Sequence, residues 1–593
     1  MIRVADYVIE RLYDEGAKHV FMVTGRGLLF LSDAVARHKK IVNISVHHEQ
    51  AGAFAAMAYA QANEKIGVCL VSTGCASTNA ITGLLCAWQD QIPCVFISGQ
   101  NKLSQTVRHT GVPIRTYGQQ EMDIISVVES LTNYSTMITD PNDIRFEIEK
   151  ALFMAQTGKK GPVWIDIPLD IQNMRIAPDD LKLFTEQKEQ RSPSNNDIEF
   201  VLESLKSAKR PVILIGSGIR ASGGLVSFED FIKRNPFPVT FSHSAVDSYG
   251  ANNELSIGAV GSLGGTRAAN FTIQNADLLI VLGSRLSTFT TGDEYDKFAR
   301  EAKVIVVDID AIEHSKNTVK IDRLILSDVK LFLDRLIEED VQSADSLWRK
   351  KCLHWKNIFP KCEQRFRCKK DIDLHELGDC LTETLPNTCV LVTDSGLEEL
   401  IIPSTVSFKK SQRHIHPPSQ GSMGYALPAS IGAYYAHEGV IIAIIGDGSI
   451  MMNLQELQTI SHYKIPIKIL VINNNGYSVI RTRQSELFRN RTIGTGPDDG
   501  LSCPSFKKLA NSFDIPYYLI NKDDNLSDSL KAVFAKEGAL LCELICDEDQ
   551  DYIHSSYAHD SKRRIVRRPL EDQAPFMDRE LFLSEMIIEP IDQ

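Results

Sequence analysis

Residues Gly446 to Asn475 read GDGSIMMNLQELQTISHYKIPIKILVINNN. The run entering this stretch, VIIAIIG, and the run IKILVI inside it are apolar and β-branched, as strands buried on both faces are. Between them MNLQELQTISHY has helical spacing. Strand, helix and strand in that order make one βαβ step, so this part of the chain is α/β with a parallel sheet. Asp447 falls at the carboxyl end of the first strand, and Asn473 and Asn474 at the carboxyl end of the second. Ligands of open parallel sheets gather at that edge. If the strands are neighbours, Asp447 and Asn474 converge. One anionic oxygen, one amide oxygen and a backbone carbonyl near Gly476 suit Mg²⁺ bridging a diphosphate. The N-terminus of the intervening helix would receive a phosphate group.

The same alternation runs through the rest of the 593 residues, a length that calls for several cores. HVFMV, IVNISV, GVCLVS, CVFIS and PVWIDIP read as strands of a first block. RPVILIGSG, FPVTFS, DLLIVLG and KVIVVDID form a second, and CVLVTDSG, VIIAIIGDG, IKILVINNN and ALLCELIC a third. A polar linker is expected from Glu186 to Asp197, and a linker with a helix from about Glu338 to Lys370. The domains expected are 1–185, 196–338 and 365–555, followed by a tail, 556–593, that wraps over the body. The first and third blocks share a rhythm that hints at two related sheets facing one another.

Composition excludes some tasks. The net charge is −12, from 64 Lys+Arg against 76 Asp+Glu, which gives no support to nucleic-acid binding. The first helix, with Val4, Val8, Ile9 and Leu12 on one face, follows directly on Met1, without a signal-peptide core. No apolar run is long enough to span a membrane. The 12 cysteines lack C-x-x-C spacing, and Cys69, Cys75, Cys86 and Cys94 read as reduced core residues. A cytoplasmic protein is expected.

GDG followed at this distance by NN resembles the fingerprint of thiamine diphosphate (ThDP) enzymes. The resemblance extends over nearly the whole chain to their acetolactate synthase-like branch. It is carried by VHHEQAGAFAAMAYAQ, STGCASTNAITGLLCAWQDQIPCVFISGQ, PVWIDIPLDIQ, GSLGGTRAANFTIQNADLLIVLGSR and QGSMGYALPASIGA. It implies three doubly wound parallel-sheet domains in the order pyrimidine-binding, central and diphosphate-binding. It makes Glu49 the acid that exchanges a proton with the cofactor's aminopyrimidine, and Gln120 a catalytic neighbour of the reacting carbon. Met423 would wedge beneath the bent cofactor, and the Gly421 carbonyl would accept from its amino group. Gly25, Thr73, Gly446, Gly448, Ser449 and Tyr477 would complete the cofactor site around Glu49 and Asn474. Asp447, Asn474 and Gly476 would hold Mg²⁺. The site would lie between two chains, Glu49 from one facing Asp447 of the other, in a homodimer or homotetramer.

The chain also departs from that family. Gly74-Cys75-Ala76 stands where relatives carry a GPG-type turn, and Arg26 where a small residue is common. After the NN motif comes NNGYSVIRTRQ, with arginines where acetolactate synthases place a tryptophan. Arg26, Arg481 and Arg483 suit an anionic substrate group. LSTFTTG lacks the acidic residues of flavin-bearing relatives, so the reading is against FAD, with FAD as the alternative. The function expected is decarboxylation of a 2-oxo acid such as pyruvate and transfer of the acyl carbanion to an acceptor carbonyl, with a nucleotide-linked sugar as a candidate acceptor. Alternatives are acetolactate synthesis proper and a C–C hydrolase or decarboxylase. A non-catalytic scaffold fits poorly with Glu49, Asp447 and Asn474 all in place.

Overall fold

The computed structural model describes residues 1–185, 191–250, 252–559 and 563–591. Of the linker expected from Glu186 to Asp197, residues 186–190 lie outside the described residues. The helix after it begins at Asn195, behind a Ser194 capping box.

Three six-stranded sheets, every pair parallel, form the body. The first contains the strands 42–45, 19–22, 67–71, 94–100, 163–168 and 134–137 in spatial order. The third runs 412–415, 389–393, 440–446, 468–473, 540–545 and 517–520. Numbered along the chain, both have the order 2-1-3-4-6-5, so the shared rhythm of the sequence reflects a shared topology. The central sheet differs. Its strands 256–259, 239–241, 211–215, 278–282, 303–308 and 323–326 have the order 3-2-1-4-5-6, that of dinucleotide-binding sheets.

The outer domains meet through two helices of small residues. Glu49–Asn63, EQAGAFAAMAYAQAN, is buried on nearly every face, which its six alanines between 51 and 60 permit. It crosses Ala426–Ala436 so closely that a Cβ on Gly432 would stand 1.9 Å from the Ala55 carbonyl oxygen. Phe54 meets Tyr425 edge-on at 5.2 Å.

An ion cluster around the buried Asp247 ties all three domains. Asp247 of the central domain accepts from Arg413 of the third at 2.9 Å and lies 3.2 Å from Arg220. Both arginines also reach Glu64 of the first domain, at 3.3 and 3.0 Å. Burial works against the Asp247 charge, but Arg220 and Arg413 outweigh it and hold the carboxyl at about 2.

The segment expected as a linker with a helix is packed structure. Helix Ser346–Ile358 buries Trp348 and Trp355 against the central domain, and the Trp348 indole donates to the Pro211 carbonyl at 3.0 Å. The tail lies on the same domain. Gln573, fully buried, accepts from Asn270 at 2.6 Å, and Glu571 accepts from Gln274 and Arg300, both at 2.7 Å. No helix among the described residues is long and apolar enough to cross a membrane. The 12 cysteines are unpaired. Cys75 departs from the core reading: Gly74, at φ +68°, turns the chain so that Cys75 is exposed.

Asp247→Asn should therefore lower the thermal midpoint, and the effect should depend on pH. A carboxyl whose folded pKa lies below its unfolded value of about 3.9 contributes fully above about pH 4 and loses that contribution as pH falls toward 2. We expect a wild-type advantage of roughly 2–3 kcal/mol at pH 7. It should shrink steadily in melts taken from pH 4 down to pH 2.

Candidate active site

Strands 440–446 and 468–473 are neighbours, in register from Ile442 opposite Lys468 to Gly446 opposite Ile472. Their carboxyl ends bring Asp447 and Asn474, both buried, to one crevice. Asp447 accepts from the Gly448 amide at 2.6 Å and the Gly476 amide at 3.0 Å. Burial nevertheless pushes its carboxyl up to about 6, against these donors. A buried carboxyl in that state gains from a nearby cation.

The structure distinguishes the three asparagines. Asn473 donates its side-chain amide to Glu543 at 2.6 Å, and Asn475 is exposed at φ +61°. Asn474 is the buried one beside Asp447. Gly476, at φ +125°, carries the turn, and a Cβ there would stand 2.2 Å from the Thr495 carbonyl oxygen. The Tyr477 ring lies against the Gly448 α-carbon, where a Cβ would come within 2.3 Å of it. The crevice is thus walled by backbone at two glycines and one aromatic ring.

The helix expected directly after the GDG turn begins later. A 3₁₀ turn covers Ile450–Met452, and the α-helix runs Glu456–Tyr463. Its first residue is a buried glutamate that accepts from the His47 amide at 3.0 Å. That end faces the first domain, so the helix N-terminus is not the phosphate cradle read from the sequence.

Asp394, unmarked in the sequence reading, organises the loops. It sits fully buried just past strand 389–393, beside strand 440–446, where the strand order reverses. It accepts from the Gly424 amide at 3.0 Å, the Ala426 amide at 2.7 Å and the Ser449 hydroxyl. One carboxylate thereby joins the loop carrying Gly421 and Met423 to the Gly446–Ser449 turn. The signal was available: TDSG puts an acid at a strand's carboxyl end. Gly421 has φ +53° and Gly424 φ +76°.

The other predicted residues collect on the first domain. Glu49 opens helix 49–63 and accepts from Asn79 at 2.9 Å. Gly25 faces Ser72, whose hydroxyl would stand 2.4 Å from a Cβ there. Thr73 donates to the Gly99 carbonyl at 3.0 Å. Gln120, exposed at φ +58°, puts its carbonyl 2.2 Å from where a Gly74 Cβ would be. Arg26, also exposed, donates to Gln119. These ends of strands 19–22 and 67–71 form the crevice of the first sheet. Among the described residues no hydrogen bond or ion pair joins Glu49 to Asp447 or Asn474.

The arginines after the NN motif differ. Arg481 is spent on backbone, donating to the carbonyls of Asn474 and Asn475, both at 3.1 Å, and of Glu548 at 2.9 Å. Arg483 pairs with Glu486 at 3.2 Å near solvent.

A cavity of about 590 Å³ opens at the junction of the three domains. It lies at the switch point of the central sheet, where Ser217 and Gly218 follow strand 211–215 and Gly283 follows strand 278–282. Arg285, Lys160 and Lys330 add positive charge.

The chain matches three family models: the N-terminal TPP binding domain of thiamine pyrophosphate enzymes over residues 2–127, their central domain over 198–336 and their C-terminal TPP binding domain over 394–544. It is 30% identical to the acetolactate synthase large subunit of Haemophilus influenzae over 561 residues, 93% of this chain and 95% of that one. To the large subunit of Lactococcus lactis it is 30% identical, covering 91% and 92% of the two chains. To the chloroplastic acetolactate synthase of Arabidopsis thaliana it is 29% identical, covering 92% and 82%.

If Arg481 serves to hold the crevice, Arg481→Met should speed amide hydrogen exchange over residues 474–477. It should also cost roughly 1.5–3 kcal/mol of stability, the scale of a hydrogen bond to a charged group. A residue that only touched substrate would leave the exchange unchanged.

Proposed function

The chain belongs to the thiamine pyrophosphate-dependent, acetolactate synthase-like enzymes, and from that premise we propose that it is a ThDP- and Mg²⁺-dependent carboligase. It decarboxylates a 2-oxo acid such as pyruvate and transfers the acyl unit to an acceptor carbonyl. The observation that carries the reading is the crevice of Asp447 and Asn474, a buried carboxylate and an amide on adjacent strand ends with backbone cradles at Gly448 and Gly476. That donor set fits Mg²⁺ on a diphosphate. When bound, ThDP supplies the electron sink for breaking and making a bond beside a carbonyl. The protein's part is to bind, orient and exclude water.

In this reading Asp447, Asn474 and the Gly476 carbonyl hold the metal. Ser449 and Tyr477 border the diphosphate, and Met423 supports the bent cofactor. Glu49 exchanges a proton with the aminopyrimidine of a cofactor held by the partner chain. This shared site is the arrangement implied by the resemblance to thiamine diphosphate enzymes. Exposed apolar side chains beside each half support it further: Val112, Ile114 and Tyr117 on the Gln120 loop, and Met452, Ile480 and Leu487 on the Asp447 side. A homodimer, or a tetramer built from it, buries both.

For the acceptor we favour a bulky anionic carbonyl compound such as a nucleotide-linked sugar. Arg26 and Arg483 are the guanidinium groups near solvent that would meet it, while Arg481 is engaged with backbone. The second reading is acetolactate synthesis proper, favoured by the names of the relatives.

Glu49→Gln and Asp447→Asn should each lower CO₂ release from pyruvate by about 10²- to 10⁴-fold. Mixed and reassorted, the two inactive variants should recover about a quarter of wild-type activity, since half the dimers then hold one intact site. No recovery would refute the shared site, and failure of the wild type to bind ThDP with Mg²⁺ would refute the whole reading. The central cavity has room for a nucleotide. We expect purified protein to show no flavin absorption band, and a band that survives gel filtration would replace the reading without FAD.

A further inference from the structure

The loop from His416 to Gly424 is a wall between two compartments. His416, Pro418 and Ser419 line the central cavity, whereas Gly421 to Gly424 form the expected cofactor cradle. Most of this loop is fastened. Ser419 donates its amide to Asp90 at 3.2 Å, Gln420 donates to Gln89 at 2.6 Å, and the Ser422 hydroxyl lies 3.1 Å from the Cys86 thiol. The Gly421 amide donates to the Pro417 carbonyl at 2.9 Å, closing a turn that requires φ +53° at Gly421.

One contact on Gly421 comes from elsewhere. Glu399, on helix Leu397–Thr405, presses its carboxylate against the Gly421 α-carbon: Oε2 lies 2.7 Å from where a Cβ would stand. The other oxygen, Oε1, lies 3.3 Å from His416 Nε2, an ion-pair distance but off line for a well-formed hydrogen bond. His416 is itself fixed. Its Nδ1 is 3.1 Å from the Thr393 hydroxyl, which also bridges to His414 Nε2 at 3.0 Å. Around His416 lie Glu399, the stacked His414 ring, and the charges of Asp90 and His243. Burial opposes its positive charge, but Glu399, with Asp90 behind it, outweighs burial and leaves the His416 pKa raised.

We propose that Glu399, held by His416, is a positioning residue that fixes Gly421, and with it the aminopyrimidine end of the cofactor. The inference rests on the proposed function, in which the Gly421 carbonyl accepts from the cofactor's amino group. A glycine at positive φ has wide conformational freedom. The carboxylate on one side and the Pro417 carbonyl on the other restrict it, and the buried histidine keeps the carboxylate from turning away. Neither side chain touches the reacting atoms.

The test uses full-length protein loaded with ThDP and Mg²⁺, and compares Glu399→Ala, Glu399→Gln, His416→Gln and the double variant His416→Gln/Glu399→Gln. The readouts are ThDP affinity by calorimetry, near-ultraviolet circular dichroism of the bound aminopyrimidine, and the rate at which the C2 hydrogen of bound ThDP exchanges with deuterium. We expect affinity to stay within about threefold, while C2 exchange slows about 10- to 100-fold in Glu399→Ala, the scale of a misplaced reacting group. The circular dichroism should change in step. The double variant should be no slower than the worse single variant, as for two residues acting as one unit. Unchanged exchange in Glu399→Ala, or additive losses in the double variant, would overturn the proposal. If Glu399→Ala does not fold, Glu399→Gln and His416→Gln carry the same comparison. Failure of the wild type to bind ThDP would instead overturn the proposed function.

Discussion

The arrangement of the protein depends on a backbone contact between two helices, 49–63 and 426–436. Gly432 has no side chain because the Ala55 carbonyl occupies its place, and the alanines of helix 49–63 let neighbours approach it from every side. Both helices begin at the proposed site. Glu49 is the first residue of one, and the Gly421–Gly424 loop leads into the other. Setting the distance between these helices therefore sets the frame in which both halves of the site are held. Larger residues along this seam would move the site with the core.

The duplicated strand order of the outer domains gives that frame its logic. In each the candidate residues sit at the carboxyl edge, past the first, second and third strands of the first domain and past the first, third and fourth of the third. The first domain contributes Gly25, Thr73 and the Glu49 corner. The third contributes Asp394, Asp447 and Asn474. The central sheet, with its different order, places its glycine turns at the cavity among the three domains. The Asp247 cluster borders this junction and gives one carboxylate two guanidinium partners from different domains.

What the sequence made legible follows from burial. The strands read from it are mostly interior to their sheets, covered on both faces and therefore continuously apolar. Strands 134–137, 256–259, 323–326, 412–415 and 517–520 escaped notice, and each lies at the edge of its sheet. An edge strand is short and partly wet, so YSTM and QRHI carry no apolar run. The Asp447–Asn474 pairing was readable because adjacent strands and a fixed crossover define it. The 3₁₀ turn that delays the helix to Glu456 was not, because helical periodicity does not mark where a first turn tightens. Nor could local pattern reveal that Arg481 would be used on backbone carbonyls or that Asp394 would gather three donors. Those are products of tertiary approach.

The C-terminal segment has a consequence for anyone handling the protein. Gln573, Glu571 and Arg568 are interior residues of the central domain in all but sequence position. Gln573 accepts from Asn270, and Glu571 accepts from Gln274 and Arg300, so the segment adds buried hydrogen bonds to side chains of the central domain. The last strand of the central sheet ends at Leu326 and its last helix at Ile337, so these hydrogen bonds of the domain form only after the chain has been made as far as Gln573.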